Sequence, residues 1–243
     1  MKFMLFGVCL VLLAGVARAA PQINVGGLYD YLDAGSSTQL KRVRNLGDNT
    51  AFVKVSVVEL VYDGQGAPRE VSHDSLPVGD RPLIASPARL IVPAGGMQAV
   101  RLLYRGERQQ ERYFRLRFVP VLPEHGDGFA ISDEEAQRYE QELKAGVNIL
   151  AGYGSLLFIR PQQTGYRTEI NELDGQFRVS NQGSATVVLD HFNDCDTSGK
   201  QCAVATKHHI RPGLERQFAR APGRVYRFEL IEGGERRRIE IKG

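Results

Sequence analysis

AGVNILAGYGSLLFIRP, residues 145–161, carries no charge from Ala145 to Ile159, in a 243-residue chain of which 24% is charged. It follows the polar run SDEEAQRYEQELK (132–144) and stops at Arg160-Pro161. In an extended strand, Val147, Ile149, Ala151 and Tyr153 share one side, and Asn148, Leu150, Gly152 and Gly154 the other. Leu156, Leu157, Phe158 and Ile159 are apolar on both sides, as in a strand covered on both faces. The stretch falls short of the ~20 apolar residues a membrane span needs. The second half therefore reads as a core strand. The first half, arriving from a polar loop, reads as an edge, and an apolar edge is a liability unless something pairs with it.

The rest of the chain has the same rhythm. AFVKVSVVELVY (51–62) is Val-rich and partly alternating. ARLIVPAGGMQAVRLLYRG (88–106) is two strands about Pro93-Ala94-Gly95-Gly96. ERYFRLRFVPV (111–121) sets Phe114, Leu116 and Phe118 against Arg115 and Arg117, with Pro120 marking an edge or an exit. QFRVSNQGSATVVLDHF (176–192) reads as two strands about Asn181–Ser184, and RVYRFELIEGGERRRIEIKG (224–243) as a hairpin about Gly233-Gly234. Within 125–146, Ser132 and Glu135 form a capping box that predicts a short helix over 133–144. The fold class expected is all-β: two immunoglobulin-like antiparallel sandwiches, divided near Pro161 into 20–160 and 161–243. No internal repeat stands out.

Residues 1–19 read as a secretory signal: Lys2, the apolar FMLFGVCLVLLAGV, and a small-x-small cleavage site at Ala17-Arg18-Ala19. Losing Lys2 and Arg18 takes the formal charge from +3 to +1, so composition implies no nucleic-acid partner. The signal also removes Cys9. The remaining Cys195 and Cys202 flank a turn-like Asp-Thr-Ser-Gly and suggest one local disulfide in an exported chain. A zinc site joining them to His208 and His209 is the alternative, weakened because adjacent strand histidines point to opposite faces.

Catalytic signatures are missing from the sequence. There is no G-x-S-x-G, no H-E-x-x-H and no phosphate-binding glycine loop. Asp190-His191 is adjacent in sequence, which in a strand separates the two side chains. Glu134, Glu135, Glu140 and Glu142 read as the solvated face of a helix. The expectation is a non-enzymatic protein without metal or other cofactor.

PLIASPARLIVPAGGMQAVRLLY (82–104) followed by ERYFRLRFVPV, with GSLLFIRP (154–161), resembles the periplasmic pilus chaperones of the chaperone–usher pathway. SNQGSATVVLDHFNDCDTSGKQC (180–202) with IRPGLERQF (210–218) is similar to their alternate branch, which serves common-pilus and colonisation-factor-type fimbriae. The resemblance implies two immunoglobulin-like domains set at an angle, with pilus subunits and an outer-membrane usher as partners. It implies a periplasmic location, no membrane insertion, and self-association through the donor strand as an option. Such subunits lack one strand, and the chaperone lends it: main-chain hydrogen bonds give affinity and alternate side chains fill the groove, a standard instance of strand addition. Carried over by position, the donor residues are Val147, Ile149, Ala151 and Tyr153.

One departure stands out. The family's best-known branch clamps the subunit's C-terminal carboxylate with two basic residues. Aligned on LLFIRP, those positions fall at Leu156 and near Gly26 or Gly27, none of them basic. Lys41, Arg42, Arg44 and Arg160 are the candidate replacements. The rival reading is a structural pilus subunit or tip adhesin. That would require a free N-terminal alternating extension, whereas APQINVGGLYDYL (20–32) flows directly into the first domain.

Overall fold

The computed structural model describes residues 20–64, 66–124, 126–144 and 150–243. In chain order the first half holds β1 (Ile23–Asn24), β2 (Tyr29–Leu32), β3 (Thr38–Asn45), β4 (Ala51–Val61) and β5 (Arg69–Ser72). There follow β6 (Leu83–Ser86), β7 (Arg89–Val92), β8 (Met97–Tyr104), β9 (Arg112–Val121), helix α1 (Asp133–Lys144) and β10 (Tyr153–Ile159). They form two sheets, one ordered β1-β3-β8-β6, the other β2-β10-β9-β4-β5 with β7 alongside the start of β4. Alternation decides which side faces in: Phe114, Leu116 and Phe118 of β9 are fully buried between the sheets, with Val53, Leu102, Leu157 and Ile159. Each such side chain contributes roughly 1.5–3 kcal/mol by leaving water.

The second half holds β11 (Thr168–Leu173), β12 (Gln176–Asn181), β13 (Val187–Asp196) and β14 (Thr206–Ile210). It closes with β15 (Glu215–Ala219), β16 (Arg224–Glu232) and β17 (Glu235–Lys242). Their sheets run β11-β12-β15 and β14-β13-β16-β17 around a separate core of Phe177, Leu189, Phe192, Tyr226, Phe228 and Leu230.

Two features differ from the sequence reading. First, β10 pairs with β2 in parallel, Leu156 opposite Tyr29 and Ile159 opposite Leu32. The N-terminal segment starts in one sheet as β1 and crosses to the other through Gly26, whose φ of 72° suits a glycine. Second, a repeat does exist. Asn45 and Asn181 are both buried at a strand end; each amide donates to backbone carbonyls (Asn49, Val92 and Pro93; Ala185 and Ile210), and each carbonyl accepts from the glycine two residues on. At both glycines, Gly47 and Gly183, a Cβ would lie under 2.5 Å from a backbone oxygen, of Ala20 and Gly165 respectively. The shared signal is only Asn-x-Gly, too short to notice unaided. As the sequence suggests, Cys195 and Cys202 are disulfide-bonded, and the alternative zinc site therefore has no thiolate from them. Among the described residues, no three His, Cys, Asp or Glu side chains gather as a metal site. None of their helices is long and apolar enough to cross a membrane.

Helix α1 spans the residues the capping box predicts. Ser132 N donates to Glu135 Oε2 (3.0 Å) and Glu135 N to Ser132 Oγ (3.2 Å). It is docked on the first sandwich. Tyr139 donates to Thr50 O at 2.6 Å and meets Phe52 edge-on at 4.8 Å, and Phe129 meets the same ring at 5.3 Å. Asp127 binds Lys54 at 2.6 Å, and its carbonyl accepts from Arg89.

Candidate functional site

The site centres on the strand that the uncharged stretch forms. On one side β10 pairs with β9 from Tyr153–Phe118 to Ile159–Arg112. On the other, β2 reaches it only from Leu156 onward, where Leu156 N donates to Leu28 O (2.8 Å). The β2-side edge of Tyr153, Gly154 and Ser155 has no strand partner among the described residues. β9 itself continues to Val121, past its last pair with β10 at Phe118, and there pairs only with β4. Gly152 sits at that departure: a Cβ there would be 3.2 Å from Phe118 O.

Tyr153 opens β10, half-buried against the first core, and Ala151 is exposed. Val147 and Ile149 lie outside the described residues. By register, Tyr153, Ser155 and Leu157 share the inward face with Phe118, Leu116 and Phe114.

The candidate cations are dispersed. Lys41 is 3% exposed; its Nζ donates to Asp30 Oδ2 (2.6 Å) and to Gly27 O, beneath the crossing of the first strand. Arg42 and Arg44 point outward from β3 and, with Gly26, Gly27, Asp30 and Lys41, line a recess of about 520 Å³. Arg160 pairs with Asp33 at 2.7 Å and lies over the Tyr31 and Tyr166 rings. Sequence reasoning missed Lys207 of β14. It stands 5.9 Å from the centroid of Tyr29, the register partner of Leu156, and pairs with Asp190 at 3.0 Å. Nothing in the sequence ties Lys207 to Leu156, 51 positions earlier.

The two sandwiches meet at the far end of β10. Phe158, on its outer face, stacks on His209 (5.1 Å, 14°), which also approaches Tyr29 (4.3 Å) and bonds the Tyr31 hydroxyl through Nε2 (2.7 Å). This is why the second half of the opening stretch is apolar on both sides: the first core covers one face and the second sandwich the other. Burial, then the charge of Lys207, lowers the His209 pKa to about 4, so the ring is neutral at pH 7. Beside it, the Glu111 carboxylate accepts from Thr186 N (2.9 and 3.0 Å), Thr186 Oγ (2.5 Å) and the Tyr113 hydroxyl (2.8 Å). Burial raises its pKa, and these donors oppose the rise. Arg211 lies 3.4 Å over the Tyr62 ring. Arg108 ties Arg160 O (2.8 Å) to the first sandwich.

Two immunoglobulin-like sandwiches in one chain are the fold of the two-domain fimbrial chaperones among the solved structures that this chain resembles. The crystal structure of the class 5 fimbriae chaperone CfaA aligns with a TM-score of 0.56 at 18% identity, over 91% of this chain and 99% of that one. The CsuC–CsuE chaperone–tip adhesion subunit pre-assembly complex of Acinetobacter baumannii aligns at 0.54 and 15% identity, over 92% and 99%. These likenesses fix the fold. In sequence, the chain is similar to the "Probable fimbrial chaperone EcpB" of Klebsiella pneumoniae subsp. pneumoniae, 27% identical over 216 residues and 86% of each chain. An Escherichia coli O157:H7 protein of the same name is 26% identical over 216 residues, also 86% of each. The chain is a homologue of the fimbrial chaperones. No protein-family model matches it.

Proposed function

We propose that this chain is a periplasmic chaperone that holds pilus subunits by donor-strand complementation and delivers them to an outer-membrane usher. The carrying observation is the open β10 edge at Tyr153–Ser155, continuous with an uncharged segment of alternating apolar residues. A subunit lacking a strand gains main-chain hydrogen bonds along that edge, and Val147, Ile149, Ala151 and Tyr153 supply side chains for its groove. In this reading residues 1–19 are removed on export, 20–160 carry the donor, and 161–243 form the second domain. The chemistry asked of the site is binding alone, with no catalytic group and no cofactor. Without a subunit, the same edge is available to a second copy of the chain.

The subunit's terminal carboxylate meets a different cation arrangement from that of the family's best-known branch. Lys41, Arg42 and Arg44 at the strand crossing, and Arg160 beyond the base of β10, are the candidates. Lys41 is the most constrained, already held by Asp30 and Gly27 O, so a carboxylate would compete with Asp30. The subunit or adhesin reading gains nothing: β1 is paired into its own sheet with β3 and is no free extension.

The test is hydrogen exchange with and without a pilus subunit co-expressed from the same gene cluster. The proposal expects slowed exchange along 147–155 on capture. Unchanged exchange there in a stable complex contradicts it.

A further inference from the structure

The β1-β3-β8-β6 sheet has a charge imbalance that the facing sheet of the same sandwich does not. Its strands, IN, TQLKRVRN, MQAVRLLY and LIAS, contain Lys41, Arg42, Arg44 and Arg101 and no acidic residue. Lys41 points inward, neutralised by Asp30 from the other sheet. Arg42, Arg44 and Arg101 are exposed and make no ion pair among the described residues. On the facing sheet, Glu59 holds Arg112, and Glu70 holds Arg115 and Arg117. Register gathers the three unpaired guanidiniums on one outer face: Arg42 lies opposite Ala99, Arg44 opposite Met97 and Arg101 opposite Leu40. Leu40 and Met97 are 51% and 49% exposed, so cations and apolar side chains are interleaved there.

The same strand has an open main-chain edge. β1 covers β3 only at Asn45 and Arg44, opposite Ile23 and Asn24. In that register Gly26 would come opposite Arg42, and it is at Gly26 that the chain crosses to the other sheet. Leu46 N donates to Gln22 O on the β1 side, and Asn45 N to Gly96 O on the β8 side. By alternation, the main-chain groups of Leu40 and Arg42 turn toward the β1 side. No strand lies there among the described residues, and the recess of about 520 Å³ lined by Gly26, Gly27, Arg42 and Arg44 runs along it. Charge on an edge ordinarily guards it against pairing. Here the charge is of one sign and recurs at every second residue. That repels a basic strand and attracts an acidic one.

We propose that the β3 edge at Leu40–Arg42 is a docking site for an acidic extended segment of a partner protein, added as a strand where β1 leaves the sheet. Side-chain carboxylates at every second position of that segment, roughly 6.7 Å apart, lie against Arg42 and Arg44, with Arg101 behind them. Apolar side chains between the acids cover Leu40. The free main-chain groups select an extended peptide, since an anionic lipid surface would leave them unbonded. The site is separate from the β10 edge and does not rest on the donor-strand reading. It takes side-chain carboxylates along a strand, not a chain terminus.

The probe is a peptide of alternating glutamate and valine, capped at both ends so that it carries no terminal carboxylate, titrated into the purified protein by calorimetry. Peptides alternating lysine with valine and glutamate with proline, and phosphatidylglycerol vesicles, are the controls. The proposal expects the glutamate–valine peptide to bind, to weaken as salt rises, and to slow hydrogen exchange at the amides of Leu40 and Arg42. The double variant Arg42→Glu, Arg44→Glu is expected to bind it about tenfold more weakly, with Tm unchanged because both positions are exposed. Arg101→Glu, on the neighbouring strand, is expected to weaken it in the same direction. Ile149→Asp is expected to bind it as wild type does. Absence of binding, equal binding by the glutamate–proline peptide, which cannot pair as a strand, or binding that leaves exchange at 40 and 42 unchanged overturns the site. Binding of the vesicles in place of the peptide overturns it as well.

Discussion

Phe158 of the first sandwich and His209 of the second stack at 5.1 Å and 14°, so the strand proposed to lend itself to a subunit is also the strand on which the second sandwich rests. Binding and joint share one element. A perturbation at the joint is expected to reach the open edge through β10 itself.

His209 makes the joint acid-sensitive. Its pKa falls from 6.5 to about 4 on folding, because burial disfavours the cation. The unfolded chain therefore binds the extra proton between those values. The stabilisation is fully present above pH 6.5 and is lost as pH falls toward 4, up to about 3 kcal/mol. Glu111 opposes this, since its raised pKa favours the folded state as pH falls. His209→Phe, which keeps the stack and loses the proton, is predicted to flatten the decline in Tm between pH 6.5 and 4. An unchanged pH profile would count against the account of the joint.

Glu111 is predicted to matter more for stability than its solvent-exposed counterparts. Glu111→Ala strands Thr186 N and Oγ and the Tyr113 hydroxyl in a buried site, at a cost of about 2–4 kcal/mol in urea unfolding. Glu70, paired with Arg115 and Arg117 on the open sheet face, is predicted to leave the urea midpoint almost unchanged when replaced by Gln. Equal costs for the two would remove the special role assigned to Glu111.

The disulfide closes a short loop, and replacing both cysteines by serine is predicted to cost about 2.5 kcal/mol. The loss belongs to the second sandwich: its exchange rates are expected to rise, with those of β9 and β4 unchanged. Mass spectrometry without reductant is expected to find Cys195 and Cys202 paired. Two free thiols there would contradict the bridge.

Much of this architecture was legible because apolar alternation and turn residues are local signals. β4, β7, β8, β9, β12 and the β16–β17 hairpin follow from them, as does α1 from Ser132 and Glu135. The parallel β2–β10 pair was hidden, since it joins residues more than 120 positions apart and the short YDYL has no clear period. The place of β14 at the joint was hidden too: TKHHI is polar, and its His209 is apolar in function only because Tyr29, Tyr31 and Phe158 surround it. The Asn45 and Asn181 corners needed both partner carbonyls to be seen before Asn-x-Gly became a repeat. Of the candidate cations, Lys41 looked like any basic residue in an alternating strand; its burial over Asp30 depends on the crossing at Gly26. Lys207 could be found only once the two sandwiches were set against each other.

The central claim is that Ile149 serves a partner and not the chain's own core. Ile149→Asp sets an unpaired carboxylate where an apolar groove is expected, costing several kcal/mol of binding. Leu157→Asp does the same at a fully buried position of the first core and serves as contrast. The decisive measurement is thermal unfolding of both purified variants beside their recovery of a pilus subunit. The account predicts that Ile149→Asp melts near wild type and recovers no subunit, while Leu157→Asp fails to fold. Normal recovery by Ile149→Asp, or unfolding as severe as that of Leu157→Asp, would contradict it.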